Sequence, residues 1–251
     1  MMIDGNMSRR RCFSKLSERG ARVGFLLSAL FSIAALLTIT VFLFANGLPF
    51  IAKEGAGNFL FGKVWAPLEE PPSYGILPMI VATLYVTALA VLIGVLVGIF
   101  TAVCLYRFCP SRLASPVRHL INLLAGIPSV IFGLFGVSVI VPFVRDYLSP
   151  SGVGYGIFSA ALVLGIMILP TVVSVSLDAM QAVPESYYEG ALALGATREE
   201  ATFRIMLPAA KSGIMAGVVL ATGRALGETM AVIMVIGNSP EMPHSLLQSV
   251  R

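Results

Sequence analysis

Charged side chains are scarce in this sequence, and their scarcity excludes an ordinary soluble domain. Only 12% of the 251 residues are charged, while 57% are apolar. Soluble domains usually carry about a quarter charged residues. A chain of this length cannot bury so much apolar surface within itself, so part of that surface must face lipid. The composition therefore predicts an integral membrane protein.

The residues that most often carry chemistry are also few. Cys12, Cys104 and Cys109 show no metal-ligand spacing, and their odd number argues against a disulfide framework. His119 and His244 are the only histidines, and neither has a neighbour at ligand spacing. The sequence lacks the glycine-rich phosphate loop of ATPases, and it shows no pairing of a nucleophile with a base. We therefore expect no enzyme active site, no metal and no cofactor.

The positive charge of the chain does not indicate nucleic-acid binding. The net charge is +4, but the basic residues do not form a patch with interleaved aromatic residues. Their positions instead follow the apolar segments described next.

Five long apolar segments run along the chain, each with the roughly 20 residues that a helix needs to cross a bilayer core. The third and fourth contain prolines, which neighbouring helices accommodate in a membrane. The predicted fold class is therefore an all-α, polytopic transmembrane helical bundle with five spans. The segments cover residues 23–45, 78–106, 120–144, 155–177 and 213–237.

The distribution of lysine and arginine predicts the orientation of these spans. Six basic residues precede the first span, three follow the second and three follow the fourth, whereas the alternate loops and the tail hold four in all. Cytoplasmic loops carry the excess of positive charge, so the N-terminus is expected in the cytoplasm. Arg10 and Arg11 also resemble a twin-arginine signal. The apolar run after them is too long for such a signal, and no A-x-A cleavage site follows it.

The spans and their orientation divide the chain into three parts. Residues 1–22 are predicted as a basic cytoplasmic tail, residues 23–237 as the transmembrane domain, and residues 238–251 as an external tail. Within the transmembrane domain we expect an external loop over 46–77 and a cytoplasmic loop over 178–212.

The cytoplasmic loop predicts two short helices at an angle to each other. Pro184 and Glu185 suit the first turn of a helix, where a missing N–H and a negative charge are both tolerated. Gly195 suits the left-handed residue that ends this helix. Thr197 and Glu200 form a capping box that begins the second helix.

One face of the first loop helix is unusually apolar for a solvated loop. Tyr187, Ala191 and Leu194 recur on it at helical spacing. Such a face indicates either insertion into a groove of a partner protein or an amphipathic helix that lies on lipid. Acidic residues outnumber basic residues in this loop, which disfavours an anionic membrane surface. The residues alone leave both alternatives open.

The same loop resembles the EAA loop of ABC importer permeases. In that family Glu-Ala-Ala is followed after three residues by Gly, and after nine more by Ile-x-Leu-Pro. The resemblance implies that this loop docks a cytoplasmic ATPase subunit. Gly190 stands where the family usually has alanine, which loosens the helix slightly. The matching residues are Glu189, Gly190, Ala191, Gly195, Ile205, Leu207 and Pro208.

Three further segments, residues 59–67, 124–130 and 223–232, resemble the PstC-type phosphate permeases. The resemblance implies the fold of an ABC importer permease and the role of a permease subunit in an ATP-driven phosphate importer of the bacterial inner membrane. It also implies as partners a PstA-like second permease, two copies of an ATP-binding subunit and an extracytoplasmic phosphate-binding protein. Such permeases have six core helices, so we expect a sixth to be missing here or supplied from elsewhere. The alternatives are a permease for another oxyanion and a secondary transporter that works without ATP.

Two charged residues lie inside the predicted fifth span. Arg224 and Glu228 are four positions apart, which places them on one face of a continuous helix. An arginine at the bilayer centre costs about 2.5–3.5 kcal/mol, so neither residue is expected to face lipid. One alternative is a mutual salt bridge. In another they line the substrate path, where Arg224 attracts the anion and Glu228 accepts a proton that phosphate carries and sulfate lacks. A third is a gate that closes the empty path.

Small residues form two ridges on the same predicted span. Gly213, Gly217 and Ala221 make the first ridge, and Gly223 and Gly227 make the second. Such ridges allow helix backbones to approach closely. The approaching helix belongs either to this chain or to the partner permease.

Overall fold

The computed structural model describes residues 4–149, 152–243 and 245. The first three residues of the predicted N-terminal tail lie outside the described residues, as do His244 and part of the predicted tail over 238–251. The chain divides into two compact units, Met1–Phe59 and Leu60–Arg251.

The first unit is formed by one long helix and the start of a short one. Helix α1 (Asp4–Glu54) contains the whole apolar segment predicted at 23–45. Its part Gly20–Glu54 is long and apolar enough to cross a membrane. Gly55, with φ of +88°, follows α1 in the left-handed conformation and is followed by α2 (Ala56–Phe61). The helical structure therefore extends into the region that the sequence predicts as an external loop.

The second unit is helical apart from one short hairpin, in which Trp65 pairs with Tyr74. Three segments are π-helical: Cys104–Phe108 continues the helix Leu77–Val103, Gly136–Ile140 joins Ser129–Phe135 to Val141–Tyr147, and Ala201–Met206 joins Arg198–Glu200 to Leu207–Ala209. The elements in chain order are β1 (Trp65–Ala66), β2 (Ser73–Tyr74), α3 (Leu77–Val103), α4 (Ser111–Ala125), α5 (Ser129–Phe135), α6 (Val141–Tyr147), α7 (Ile157–Gln181), α8 (Glu185–Ala193), α9 (Arg198–Glu200), α10 (Leu207–Ala209), α11 (Lys211–Gly227) and α12 (Met230–Val235).

Four helices of the described residues are long and apolar enough to cross a membrane, and a bent pair makes a possible fifth span. The four are Gly20–Glu54, Leu77–Phe108, Ser129–Tyr147 and Ile157–Gln181. The bent pair joins Arg198–Ala209 to Lys211–Gly227 at 68°. The prediction of a polytopic helical bundle is confirmed.

Helix α7 is the most buried of the three unbent spans of the second unit, with 67% of its apolar stretch inside, against 33% for α3. Two glycines of α3 let the backbones of the two helices approach. A Cβ atom at Gly94 would lie 2.7 Å from Ile168, and one at Gly98 would lie 2.6 Å from Val172. A larger side chain does not fit at either position, so α3 packs directly on α7.

The first glycine ridge of α11 also packs against α7. A Cβ atom at Gly213 would lie 2.5 Å from Cβ of Ala179, and one at Gly217 would lie 3.0 Å from Cβ of Val175. This ridge therefore contacts a helix of its own chain. Cβ atoms added at the second ridge would meet nothing within 4 Å in the described part of the chain.

The third span differs from the prediction over residues 120–144. Helix α4 ends at Ala125, and the span itself is Ser129–Tyr147. Pro128 is the physical reason, because it lacks an N–H and disfavours helical geometry at Ile127. The residues before this break belong to a separate amphipathic helix.

The fifth span is not the continuous helix predicted over 213–237. Helix α11 ends at Gly227, and Glu228 has extended backbone angles (φ −82°, ψ 120°). The Oε1 atom of Glu228 accepts a hydrogen bond from the backbone N–H of Ala231 at 3.1 Å. Thr229 is the N-cap residue of α12, and the carboxylate of Glu228, one position before it, satisfies an N–H group in the first turn of the helix. Glu228 thus helps to begin α12 (Met230–Val235) rather than to continue α11.

Candidate functional site

The residues after α7 form the two short helices that the sequence predicts. Pro184 is the N-cap of α8, which begins at Glu185, and Gly195 follows it with φ of +88°. The hydroxyl of Thr197 accepts a hydrogen bond from the backbone N–H of Glu200, and the carboxylate of Glu200 accepts one from the backbone N–H of Thr197. Both distances are 3.2 Å, so the capping box is confirmed.

Residues 184–210, which we call the two-helix segment, present an apolar tip. Leu194 is 92% exposed and Tyr187 is 55% exposed, while Ala191 is half-buried. A Cβ atom added at Gly195 would meet nothing within 4 Å among the described residues. Large apolar side chains grouped on an exposed tip are typical of a contact with another protein or with a membrane surface.

The remaining residues of the predicted motif divide between the surface and the core. Glu189 and Gly190 are exposed on α8, and Ile205 and Pro208 are exposed on the second helix. Leu207 is half-buried against the apolar cluster formed by the ends of α3, α7 and α11. One side of the two-helix segment is therefore packed against the bundle, and the other side is exposed.

Arg224 and Glu228 do not share a helix face, because α11 ends between them. The Nη1 atom of Arg224 donates a long hydrogen bond of 3.4 Å to the hydroxyl of Thr171 on α7. Glu228 instead binds the N–H of Ala231. Both residues are described, and no ion pair joins them in that part of the chain. The alternative of a mutual salt bridge is therefore wrong.

Glu228 lines a cavity of about 250 Å³ that opens between α3, α7, α11 and α12. Much of its wall is apolar, including Val86 and Leu164. A space of this size holds a few water molecules or a small oxyanion. Its polar lining consists of Thr83, Thr87, Glu228, Thr229 and Asn238.

A second polar cavity, of about 280 Å³, lies at the C-terminal end of α7. Helix α4 contributes Arg118 and Asn122 to its lining, and α7 contributes Ser174 and Asp178. The Nε atom of Arg118 is buried and has no hydrogen-bond partner in the described residues. The guanidinium of Arg118 thus retains an unused donor next to this cavity.

One face of α7 connects the second cavity to Arg224. Thr171, Ser174 and Asp178 recur three and four positions apart, so they lie on the same side of the helix. Thr171 receives the hydrogen bond from Arg224. This polar face is not among the sequence-based predictions above, although Thr171 and Ser174 in the fourth apolar segment and Asp178 just after it recur at helical spacing.

Comparison with known proteins places the chain in a family. Residues 94–249 match the family of the binding-protein-dependent transport system inner membrane component. The chain belongs to this family. It is therefore a permease subunit of an ABC importer, a multi-pass protein of the inner membrane that has no catalytic site of its own. The family implies that a separate ATPase and a binding protein act with it.

Individual relatives support this assignment. The permease is 39% identical to the probable ABC transporter permease protein YqgH of Bacillus subtilis, over 98% of this chain and 80% of that protein. It is 38% identical to the phosphate transport system permease protein PstC of Mesorhizobium japonicum, over 83% of this chain and 68% of that protein. A chain of the MetNI methionine ABC transporter shares the fold, with a TM-score of 0.51 and 23% identity over 58% of this chain and 67% of that chain.

Replacing Glu228 by alanine should destabilise the break between α11 and α12. The substitution leaves the N–H of the fully buried Ala231 without its acceptor, so we expect a loss of about 1–2 kcal/mol. Thermal unfolding of the purified permease in detergent measures it. Glu228→Gln keeps an acceptor oxygen and should unfold at the wild-type temperature. Equal midpoints for the two variants would show that this hydrogen bond does not stabilise the break.

Proposed function

We propose that this permease is a transmembrane subunit of an ATP-driven phosphate importer. The observation that carries the proposal is Arg224, an arginine in the fifth span that has no carboxylate partner among the described residues and contacts a polar face of α7. An isolated cation in an apolar span needs an anion or water for compensation. Relatives named as phosphate transport permeases, at 38% identity, favour phosphate as that anion.

The chemistry of Arg224 suits an oxyanion in transit. Its planar guanidinium presents several N–H donors that match the geometry of phosphate oxygens. The residue is exposed in the single chain, so a second, PstA-like permease is expected to complete the path around it. Along α7 the anion would next meet Thr171 and Ser174, and then Arg118 at the second cavity.

Glu228 fits the same path only if the anion carries a proton. Near neutral pH, phosphate retains one or two protons, and a carboxylate can accept a hydrogen bond from one of them. Sulfate has no such proton and meets only repulsion. The cavity beside Glu228 also contains hydroxyl and amide groups, which serve as further hydrogen-bond partners. A gating role for Arg224 and Glu228 is the second candidate, favoured by the helix break at Glu228.

The two-helix segment is proposed as the docking site of the ATPase, two copies of which would serve the two permeases. Its open side carries exposed Leu194 and Tyr187. With the ATPase on that side, we expect residues 1–22 and 178–212 in the cytoplasm and residues 46–77 and 238–251 outside, in agreement with the distribution of basic residues. An extracytoplasmic phosphate-binding protein would deliver the substrate on the outer side.

Arg224→Gln tests the path. We expect it to abolish phosphate uptake in vesicles that contain the complete importer, while the subunits still assemble, because the amide carries no charge. Arg224→Lys should retain part of the uptake, since it keeps the charge without the planar fork. Arg145→Gln removes an exposed arginine at the end of α6 and is the control. Normal uptake in Arg224→Gln would exclude this residue from the path.

Glu228→Gln tests the selectivity. In an importer that works without its binding protein, we expect this variant to transport sulfate more readily, because the repulsive charge is gone while the hydrogen bond to Ala231 remains. Competition of sulfate against labelled phosphate measures the effect. Unchanged rejection of sulfate would leave the gate as the role of Glu228.

The substitution Gly195→Val tests whether the two-helix segment docks the ATPase. A β-branched residue at φ of +88° costs about 1–2 kcal/mol, so the tip should reorganise and lose the ATPase. Asparagine tolerates the left-handed conformation, and Gly195→Asn should retain the ATPase. Co-purification of the ATPase with each variant is the measurement. Full retention of the ATPase by Gly195→Val, with normal uptake, would contradict the assignment of this tip as the docking site.

A further inference from the structure

The end of α3 contacts both helices of the two-helix segment. In the π-helical turn Cys104–Phe108, the Nη2 atom of Arg107 donates to both carboxylate oxygens of Glu185, at 2.8 and 2.7 Å. The next residue, Phe108, stacks on Phe203 with ring centroids 6.4 Å apart and planes 22° apart. Arg107 therefore contacts α8, and its neighbour Phe108 contacts the helix that follows α8.

Arg107 lies in surroundings that fit a cation. Its side chain is only 18% exposed. The Cζ atom lies 3.9 Å from the ring centroid of Tyr188 and 4.6 Å from that of Tyr106. Cation–π attraction strengthens as the cation loses water. Tyr188 follows Glu185 by three residues, so one face of α8 supplies both the carboxylate and an aromatic ring.

Two other ion pairs among the described residues are more exposed and join residues that are close together in the sequence. Arg145 pairs with its neighbour Asp146, and both side chains are about half exposed. Arg204 pairs with Glu200 within one helix, at 3.5 Å and with a largely exposed guanidinium. Exposed local pairs contribute little. The Arg107–Glu185 pair instead joins residues 78 positions apart.

We propose that Arg107 is a positioning residue that fixes the two-helix segment to α3 and thereby couples the ATPase to the transmembrane bundle. The face of α8 with Glu185 and Tyr188 contacts α3, whereas Tyr187 is exposed for the ATPase. The proposal rests on the docking function proposed above. It assigns Glu185 to a contact within the permease and not to the ATPase surface.

The packing of α3 explains how this contact would carry movement further. Gly94 and Gly98 place α3 directly against Ile168 and Val172 of α7, so a displacement of the end of α3 would act on α7 through these contacts. A shift of α8 that pulls on Arg107 is thus passed to α3 and α7. Without the ion pair, the segment stays attached through Leu207 and the Phe108–Phe203 contact, but α8 loses its charged link to the end of α3.

The test uses the complete importer in vesicles, and it measures two quantities for each variant. The first is the amount of ATPase retained, and the second is the phosphate transported per ATP hydrolysed. For Arg107→Gln and Glu185→Ala we expect normal retention and a roughly tenfold lower transport per ATP, the factor that loss of one charge-assisted hydrogen bond gives. Arg107→Lys keeps the cation between the tyrosines and should retain most of the coupling.

Two comparisons make the test specific. The double variant of Arg107→Gln with Glu185→Ala should lose no more than either single variant, because both remove the same contact. Arg145→Gln breaks an ion pair elsewhere and should couple normally. Glu185 is half exposed, so Glu185→Ala is expected to fold even if an Arg107 variant does not.

Unchanged transport per ATP in Glu185→Ala, or losses that multiply in the double variant, would overturn the inference. A wild-type importer that fails to retain the ATPase would overturn the docking function and this inference with it. A wild type that retains the ATPase and transports phosphate, together with unaffected variants, would overturn the positioning role alone.

Discussion

The close contact of α3 with α7 is the interaction on which the second unit depends. Lipid is as apolar as the helix surfaces, so association of helices there relies on close packing rather than on exclusion of water. Gly94 and Gly98 allow that packing on one side of α7, and Gly213 and Gly217 allow it on another. With α7 enclosed in this way, its remaining polar face is positioned toward Arg224 and α4.

Two breaks in the helices position polar side chains that line the two cavities. Pro128 separates α4 from α5, so that α4 can bring Arg118 to the end of α7. Glu228 separates α11 from α12 and lines the first cavity. Irregular backbone is tolerated at membrane depth only where it is buried in protein or borders a cavity. The proposed path thus follows the places where regular helix is interrupted.

Much of the two-helix segment was predictable from sequence because its determinants are local. The capping box joins residues three positions apart, and the left-handed Gly195 depends only on its own backbone. The contact of Arg107 with Glu185 was not predictable, since it joins residues far apart in the chain. The expectation that Arg224 and Glu228 share one helix face was wrong because it assumed a continuous helix, whereas α11 ends at Gly227 and the backbone of Glu228 is extended.

The sequence by itself determined that this is a polytopic helical membrane protein with a loop that resembles the EAA loop of ABC importer permeases. Long apolar runs and short-range caps act within single segments, so they require no knowledge of neighbouring helices. Tertiary structure alone decided that the first glycine ridge faces α7, that Arg224 contacts Thr171, and that α3 holds the two-helix segment. The physical reason is that these contacts depend on which helices pack together and on how each helix is rotated about its own axis. An apolar segment by itself favours no single neighbour until the bundle has assembled.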